Sequence, residues 1–251
     1  MAGLAGKVAI VTGGAQGVGR GIALALAAEG VAIAIAGRTA ATCESVAEEI
    51  RAAGGTAIAI ECDVKQLAQI HTCVAETLAH FGRIDIMVNN AQEVPRGRLL
   101  DVSDKDFTAG WESGPLATQR FMRVCHPHLC GGGVIINLAS RSGVKSHPIG
   151  AGAYAAVKEA IRALTRAAAV EWAADGIRAY ALLPLSNSPA LERLEQDEPD
   201  VYERVLSEIP MRRFGDPVAD IGRVAVFLCS DDAGYMTGIS IPVDGGAAHI
   251  G

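Results

Sequence analysis

KVAIVTGGAQGVGRGIALALAAEG, residues Lys7 to Gly30, changes texture twice along its length. Val8 to Val11 is a continuous apolar run rich in β-branched residues, which suits a strand buried on both faces of a parallel sheet. Gly13, Gly14, Gly17 and Gly19 then crowd a short turn. From Val18 to Ala28 the pattern turns helical and Ala/Leu-rich, and Gly30 is placed to end it as a C-cap. Strand, glycine turn and helix together make a dinucleotide-binding unit. The glycines let the backbone approach a pyrophosphate, and the helix N-terminus turns free N–H groups and a positive dipole end toward it.

Outward from that unit, strand and helix patterns alternate. Further strands are expected at Val31–Ala36, Thr56–Glu61, Ile84–Val88, Val134–Leu138, Ile177–Leu183 and Ile239–Val243. Pro242 puts the last of these at an edge or a strand end. Helices are expected near Ala40–Ala53 with Thr39 as cap, Lys65–His80, Gly152–Ala174 and Val218–Leu228. A long helix capped by Ser103 runs to about Cys125 with a bend at Gly114-Pro115, and Pro127 breaks the helix there. Ser188 to Ile209 reads as one or two short acidic helices interrupted by Pro199. Right-handed crossovers then give a doubly wound parallel sheet in the order 3-2-1-4-5-6-7, with ligands at the carboxyl ends of the strands. No repeat or linker divides the 251 residues, so one domain spans 1–251, with a substrate lid at about 186–214.

Half of the residues are hydrophobic but only 4% are aromatic, a composition for layered Ala/Val/Ile/Leu packing. The net charge of −6 carries no basic cluster, which disfavours nucleic acid and anionic membrane as partners. The opening MAGLAGK lacks a signal-peptide core, and Gly21–Gly37 is too short and interrupted to span a bilayer. The expectation is a cytoplasmic protein whose six cysteines are reduced and mostly buried. Cys125, His126, His128 and Cys130 form a compact tract. With Pro127 inside it, the tract reads as a helix end, and no metal is expected.

Two positions bear on the cofactor. Many NAD-binding units end strand 2 with an acid that bonds the ribose 2′-hydroxyl. Here no acid lies between Gly30 and Cys43, and Arg38 stands in the region instead. A guanidinium can fork onto a 2′-phosphate, which favours NADP(H) and leaves NAD(H) open. Asp63, past strand 3, can accept from an adenine amino group or cap the following helix. For chemistry, Tyr154 and Lys158 lie four apart in YAAVK, on one helical face. A lysine ammonium near a tyrosine favours the phenolate, giving an acid/base suited to carbonyl reduction. Ser140, just past strand 5, is positioned to hold the substrate oxygen.

Taken together, Thr12-Gly13-x-x-x-Gly17-x-Gly19, Asn89-Asn90-Ala91, Ser140, Tyr154-x-x-x-Lys158 and the tail YMTGISIPVDGG resemble the short-chain dehydrogenase/reductase family over essentially the whole chain. The resemblance implies a single Rossmann-type domain with helices on both faces of about seven strands. It implies that Tyr154 exchanges the proton, Lys158 lowers its pKa and bonds the nicotinamide ribose, and Ser140 orients the carbonyl. Gly13, Gly17 and Gly19 would carry the phosphates, with Gln16 and Val18 in the same turn. Asp63, Val64 and Asn90 would seat the adenosine and ribose. A homo-oligomer, a tetramer or dimer, is implied as well.

The sequence departs from that pattern near the reacting centre. The helical asparagine that helps hold a relay water falls on Gly114, leaving water alone or Ser113 to assist reprotonation. The glycine usual after Asn89-Asn90-Ala91 is Gln92, facing either the substrate or solvent. The segment Pro184-Leu185-Ser186-Asn187-Ser188-Pro189 replaces the usual Pro-Gly, with Ser188 a partial stand-in for its threonine. One extra residue before Tyr154 keeps Ser142 open beside Ser140. His147 is a candidate for the substrate pocket, together with Gln92, Ser140 and Tyr154. Trp111, Tyr202 and Phe214 offer apolar walls or subunit packing. The expected activity is hydride transfer between NADP(H) and a secondary alcohol or ketone. The alternative, resting on Gly114, is an NADP(H)-binding regulatory or scaffold protein with little turnover.

Overall fold

The structure is a computed structural model that describes residues 3–144 and 150–248. Seven strands form one parallel sheet in the order β3-β2-β1-β4-β5-β6-β7. They are β1 (Val8–Thr12), β2 (Ala32–Gly37), β3 (Ala57–Glu61), β4 (Ile86–Asn89), β5 (Val134–Leu138), β6 (Arg178–Pro184) and β7 (Ser240–Val243). Pro242 does lie on an edge strand, where its missing N–H breaks no second ladder.

Side chains alternate across a strand, so each apolar run feeds two cores. Ala9, Val11, Ile33, Ile35, Val88 and Ile136 point to one face. There they meet α1 (Gly17–Ala28), α2 (Ala40–Ala52) and α9 (Arg223–Cys229). Ile10, Ala34, Met87 and Ile135 point to the other, against α3 (Leu67–Phe81), α5 (Ala117–Leu129) and α6 (Gly152–Glu171). This two-sided burial is why the strands read as unbroken apolar runs. The remaining helices are α4 (Asp104–Trp111), α7 (Pro189–Asp197) and α8 (Pro199–Ser207).

Local departures have local causes. Ser103 caps α4 by accepting from Asp106 N at 3.1 Å. Thr39 occupies the cap position of α2, but its hydroxyl makes no capping bond. α3 starts at Leu67 because Asp63 holds a turn first, with Oδ1 accepting from Lys65 N at 3.0 Å. The Gly114-Pro115 bend is a π-helical segment, Glu112–Leu116, whose wider turn accommodates the missing N–H of Pro115. Pro127 does not break the helix. It lies in the last turn of α5, which runs on to Leu129 before Cys130 leaves with ψ 138°. α7 and α8 meet at Pro199, the first residue of α8.

A buried polar chain ties the sheet to α6. Asn89 Nδ2 donates to Asn137 Oδ1 at 2.8 Å, and Asn137 Nδ2 donates to Thr165 Oγ1 at 2.9 Å. Asn137 is fully buried. Asn137→Ala strands both partners without water, at roughly 1–3 kcal/mol for each buried group left unpaired. Calorimetry should show the unfolding midpoint falling by about 2–4 °C per kcal/mol lost. An unchanged midpoint contradicts this role.

Candidate active site

The glycine turn is held from two sides. Thr12 Oγ1 donates to Val88 O at 3.2 Å and accepts from Asn90 N and Ala91 N at 2.9 and 3.1 Å. Asn90 Nδ2 donates to Thr12 O at 3.0 Å and to Gly13 O at 3.1 Å. Asn90 thus shapes the turn directly. Gly13 and Gly17 adopt φ +61° and +51°, the region that favours glycine. A Cβ on Gly19 would lie 2.4 Å from Gly13 O, so the helix can approach the turn only without one. At Gly17 a Cβ would meet nothing within 4 Å, so the cradle opens outward there. Gln16 is the cap residue of α1, and its side chain caps no N–H. Val18 follows in the first turn, half-buried. A bare helix start over an open glycine cradle fits a dinucleotide pyrophosphate.

At the ends of β2 and β3, one carboxylate collects two cations. Glu93 Oε1 lies 3.0 Å from Arg38 Nη1 and 2.9 Å from Lys65 Nζ. Glu93 N donates to Ser113 Oγ at 2.9 Å, and Ser113 Oγ donates to Ala109 O at 2.7 Å. The Ser113 hydroxyl pins this loop through both bonds. Arg38 is not the solitary guanidinium its sequence position suggests. Lys65 and Glu93 escaped the sequence reading, and no local signal marks them: the Arg38–Glu93 pair is 55 residues apart. Asp63 N donates to Gln69 Oε1 at 2.7 Å, and Val64 is buried beside it.

The reacting groups come together at the start of α6. The Tyr154 hydroxyl lies near enough to Ser140 for the serine to pull its pKa down. Ser140 Oγ also accepts from Ser142 N at 3.1 Å, so Ser140 faces Tyr154 and Ser142 supports it. Lys158 Nζ lies 5.6 Å from the centre of the Tyr154 ring and donates to Leu138 O. Burial pushes the Tyr154 phenol above its usual value, against the weaker pull of Ser140 and Arg96. Burial also pulls Lys158 down to about 7. The net shift of Tyr154 in the free chain is upward, with burial its largest cause.

That burial has a stability consequence with a definite sign. Lys158 takes up its proton near pH 7 when folded but near 10.5 when unfolded. The unfolded state therefore binds more protons between these values, and stability rises with pH across that window. Lys158→Met should raise the unfolding free energy below pH 7, on the order of a few kcal/mol. The gain should shrink as the pH approaches 10.5. A gain independent of pH contradicts this account.

Other candidates are placed differently. Gln92 turns its amide inward, away from solvent, onto Gly114. Ser188 caps α7, accepting from Leu191 N at 3.3 Å. Tyr202 and Phe214 pack on each other, ring centres 5.4 Å apart, in a small core with Ile209. Trp111 is 43% exposed. His147 lies outside the described residues. In the Cys/His tract, His126 Nε2 lies 2.9 Å from Asp175 Oδ2 and its ring packs edge-on against Trp172. Cys130 Sγ donates to His126 O at 3.4 Å. These bonds tie the end of α5 to the turn after α6.

Known proteins resemble this chain over nearly its whole length. A family model described as enoyl-(acyl carrier protein) reductase matches residues 13–248. A 12alpha-hydroxysteroid dehydrogenase of a Clostridium species is 41% identical, over 96% of each chain. A 2,5-dichloro-2,5-cyclohexadiene-1,4-diol dehydrogenase of Sphingobium indicum is 35% identical, over 97% of this chain and 96% of its own. A crystal structure from Sinorhizobium meliloti assigned to a short-chain alcohol dehydrogenase superposes with TM-score 0.90 at 34% identity, covering 97% of this chain and 96% of that one. The chain belongs to the short-chain dehydrogenase/reductase family. It is an NAD(P)-dependent dehydrogenase/reductase.

Proposed function

We propose that this chain transfers a hydride between NADP(H) and a secondary alcohol or ketone, with Ser140, Tyr154 and Lys158 as catalytic residues. The observation that carries the reading is the Tyr154 phenol brought beside Ser140, with the buried Lys158 ammonium 5.6 Å from its ring centre. The nicotinamide, when bound, supplies or accepts the hydride. Ser140 and Tyr154 grip the substrate oxygen, and Tyr154 gives it a proton on reduction or removes one on oxidation. Gly13, Gln16, Gly17, Val18 and Gly19 receive the phosphates, with Asn90 fixing their backbone. Asp63 and Val64 take the adenine end, and Tyr154 and Lys158 the nicotinamide ribose.

The choice of NADP(H) rests on Arg38 and Lys65 converging on a single acid. Two relatives are named for alcohols carried on rings, so ring-borne secondary alcohols and ketones are the substrate class to try first. The segment 186–214, with α7 and α8, forms the lid over that substrate. We assign the protein to the cytoplasm as a homo-oligomer. Its described cysteines are all unpaired, which suits a reducing compartment.

The test is oxidation of NADPH, and separately NADH, against a panel of cyclic ketones. NADPH-dependent turnover supports the reading. The alternative, a cofactor-binding scaffold, is favoured by Gly114. Tight NADPH binding with no turnover on the whole panel selects it.

A further inference from the structure

The tract from Cys125 to Cys130 divides once folded. Cys125 is fully buried, with Sγ donating to Met87 Sδ at 3.9 Å, and His128 is exposed on the flank toward α3. His126 and Cys130 lie four residues apart, one helical turn, and share a face at the end of α5. That face meets the turn after α6, where Asp175, 49 residues beyond His126, brings a carboxylate to it. His126 Nε2 lies 2.9 Å from Asp175 Oδ2, and one donor atom from each of the three residues lies within 4.8 Å of the other two. The tract by itself shows only two of these donors, which is why it reads as a helix end.

The scaffold beneath the donors is tied by its own bonds. Gly131 N donates to Asp175 O at 2.8 Å, so the residue after Cys130 is fastened to the residue that carries the carboxylate. Asp175 N donates to Trp172 O at 3.1 Å, and the Trp172 ring packs on the His126 imidazole with 4.8 Å between centres. Cys130 Sγ donates to His126 O at 3.4 Å, which turns the thiol back along the helix toward the histidine. A tetrahedral zinc ion holds nitrogen and oxygen at about 2.0–2.2 Å and sulfur at about 2.3 Å, so its donors stand about 3.3–3.7 Å apart. The three atoms reach that spacing with side-chain shifts of about 1 Å. Imidazole, thiolate and carboxylate are a set zinc takes, whereas magnesium and calcium take oxygen alone. The His126–Asp175 pair that the ion would displace is open to solvent, with side-chain exposures of 28% and 43%, and such pairs contribute little.

We propose that His126, Cys130 and Asp175 bind a divalent cation of the zinc class, with water as the fourth ligand, and that the ion staples the end of α5 to the turn after α6. On binding, the Cys130 thiol gives its proton to solvent and its sulfur bonds the ion, with nothing oxidised or reduced. The site lies at the amino ends of β5 and β6, which begin at Val134 and Arg178 just beyond its two arms. Ser140 lies past the opposite end of β5. The ion is therefore structural and stands apart from hydride transfer.

Cobalt(II) is the probe, because thiolate on tetrahedral cobalt absorbs in the near ultraviolet. Added to the full chain after treatment with chelator, it should give that band at one equivalent, and zinc should bleach it. The other five cysteines are buried, so the band reports on Cys130. Cys130→Ser should abolish it. His126→Gln and Asp175→Asn should each weaken cobalt binding by at least the roughly 10–100-fold that a group merely supporting a ligand is worth. Asp175→Asn keeps the backbone bond to Gly131, and Cys130 and Asp175 are exposed, so these two variants leave the packing in place. Zinc at a hundredfold excess over its Kd should raise the unfolding midpoint by about 5–10 °C, and Cys130→Ser should remove the rise. No band in the wild type, a band that survives Cys130→Ser, binding indifferent to both His126→Gln and Asp175→Asn, or a midpoint that zinc does not move overturns the proposal.

Discussion

Tyr154→Phe is expected to lower kcat for ketone reduction by about 10²–10⁴-fold, the range for loss of a positioned proton donor, while NADPH binding is retained. The change removes one oxygen from a half-buried ring and leaves the ring's packing intact. Ser140 Oγ keeps the Ser142 amide, and the substrate oxygen loses one of two partners. Because burial holds the phenol above its usual value, Tyr154 remains a proton donor through neutral pH. Ketone reduction should accordingly be flat across neutral pH. Alcohol oxidation needs the phenolate and should climb with pH through the alkaline range. Stopped-flow NADPH absorbance and a pH profile in each direction check both points. Turnover that survives Tyr154→Phe, or an oxidation rate that falls as pH rises, removes the tyrosine from its assigned role.

The fold was legible because each strand of a doubly covered parallel sheet is an unbroken apolar run, and seven such runs alternate with helical periods. Strand order follows from crossover handedness, and Ser140, Tyr154 and Lys158 are placed by the ends of β5 and the start of α6. What stayed hidden depends on contacts between distant residues or on burial. A proline inside a helical pattern reads as a bend or a break, yet Pro115 sits in a π turn and Pro127 is carried to the end of α5. The spacing of Tyr154 and Lys158 shows their proximity but not the burial that shifts both groups. Gln92 reads as a solvent- or substrate-facing side chain until the empty position at Gly114 is seen to admit it. Glu93 carries no local mark at all, since both of its cations come from other strand ends.

That acid controls the second large effect. Arg38→Ala should weaken NADPH binding by about 10–100-fold, the equivalent of roughly 1.5–3 kcal/mol for a hydrogen bond to a charged group, and should leave NADH binding nearly unchanged. Glu93→Gln should do the reverse and tighten NADPH alone. In the free chain Glu93 neutralises part of the charge that Arg38 and Lys65 offer. The Arg38 side chain is 65% exposed, so its pair with Glu93 is an exposed one. Such pairs contribute only about 0–1 kcal/mol. A dianionic 2′-phosphate met by a forked guanidinium and an ammonium is the stronger partner, so exchange of the carboxylate for the phosphate runs downhill. The preference should narrow as ionic strength rises, because these groups lie near solvent. Calorimetric titration of both nucleotides into the three proteins measures all of this. Equal losses for NADPH and NADH in Arg38→Ala mean that the arginine supports the pocket without reading the 2′-phosphate, and NAD(H) then becomes the better assignment.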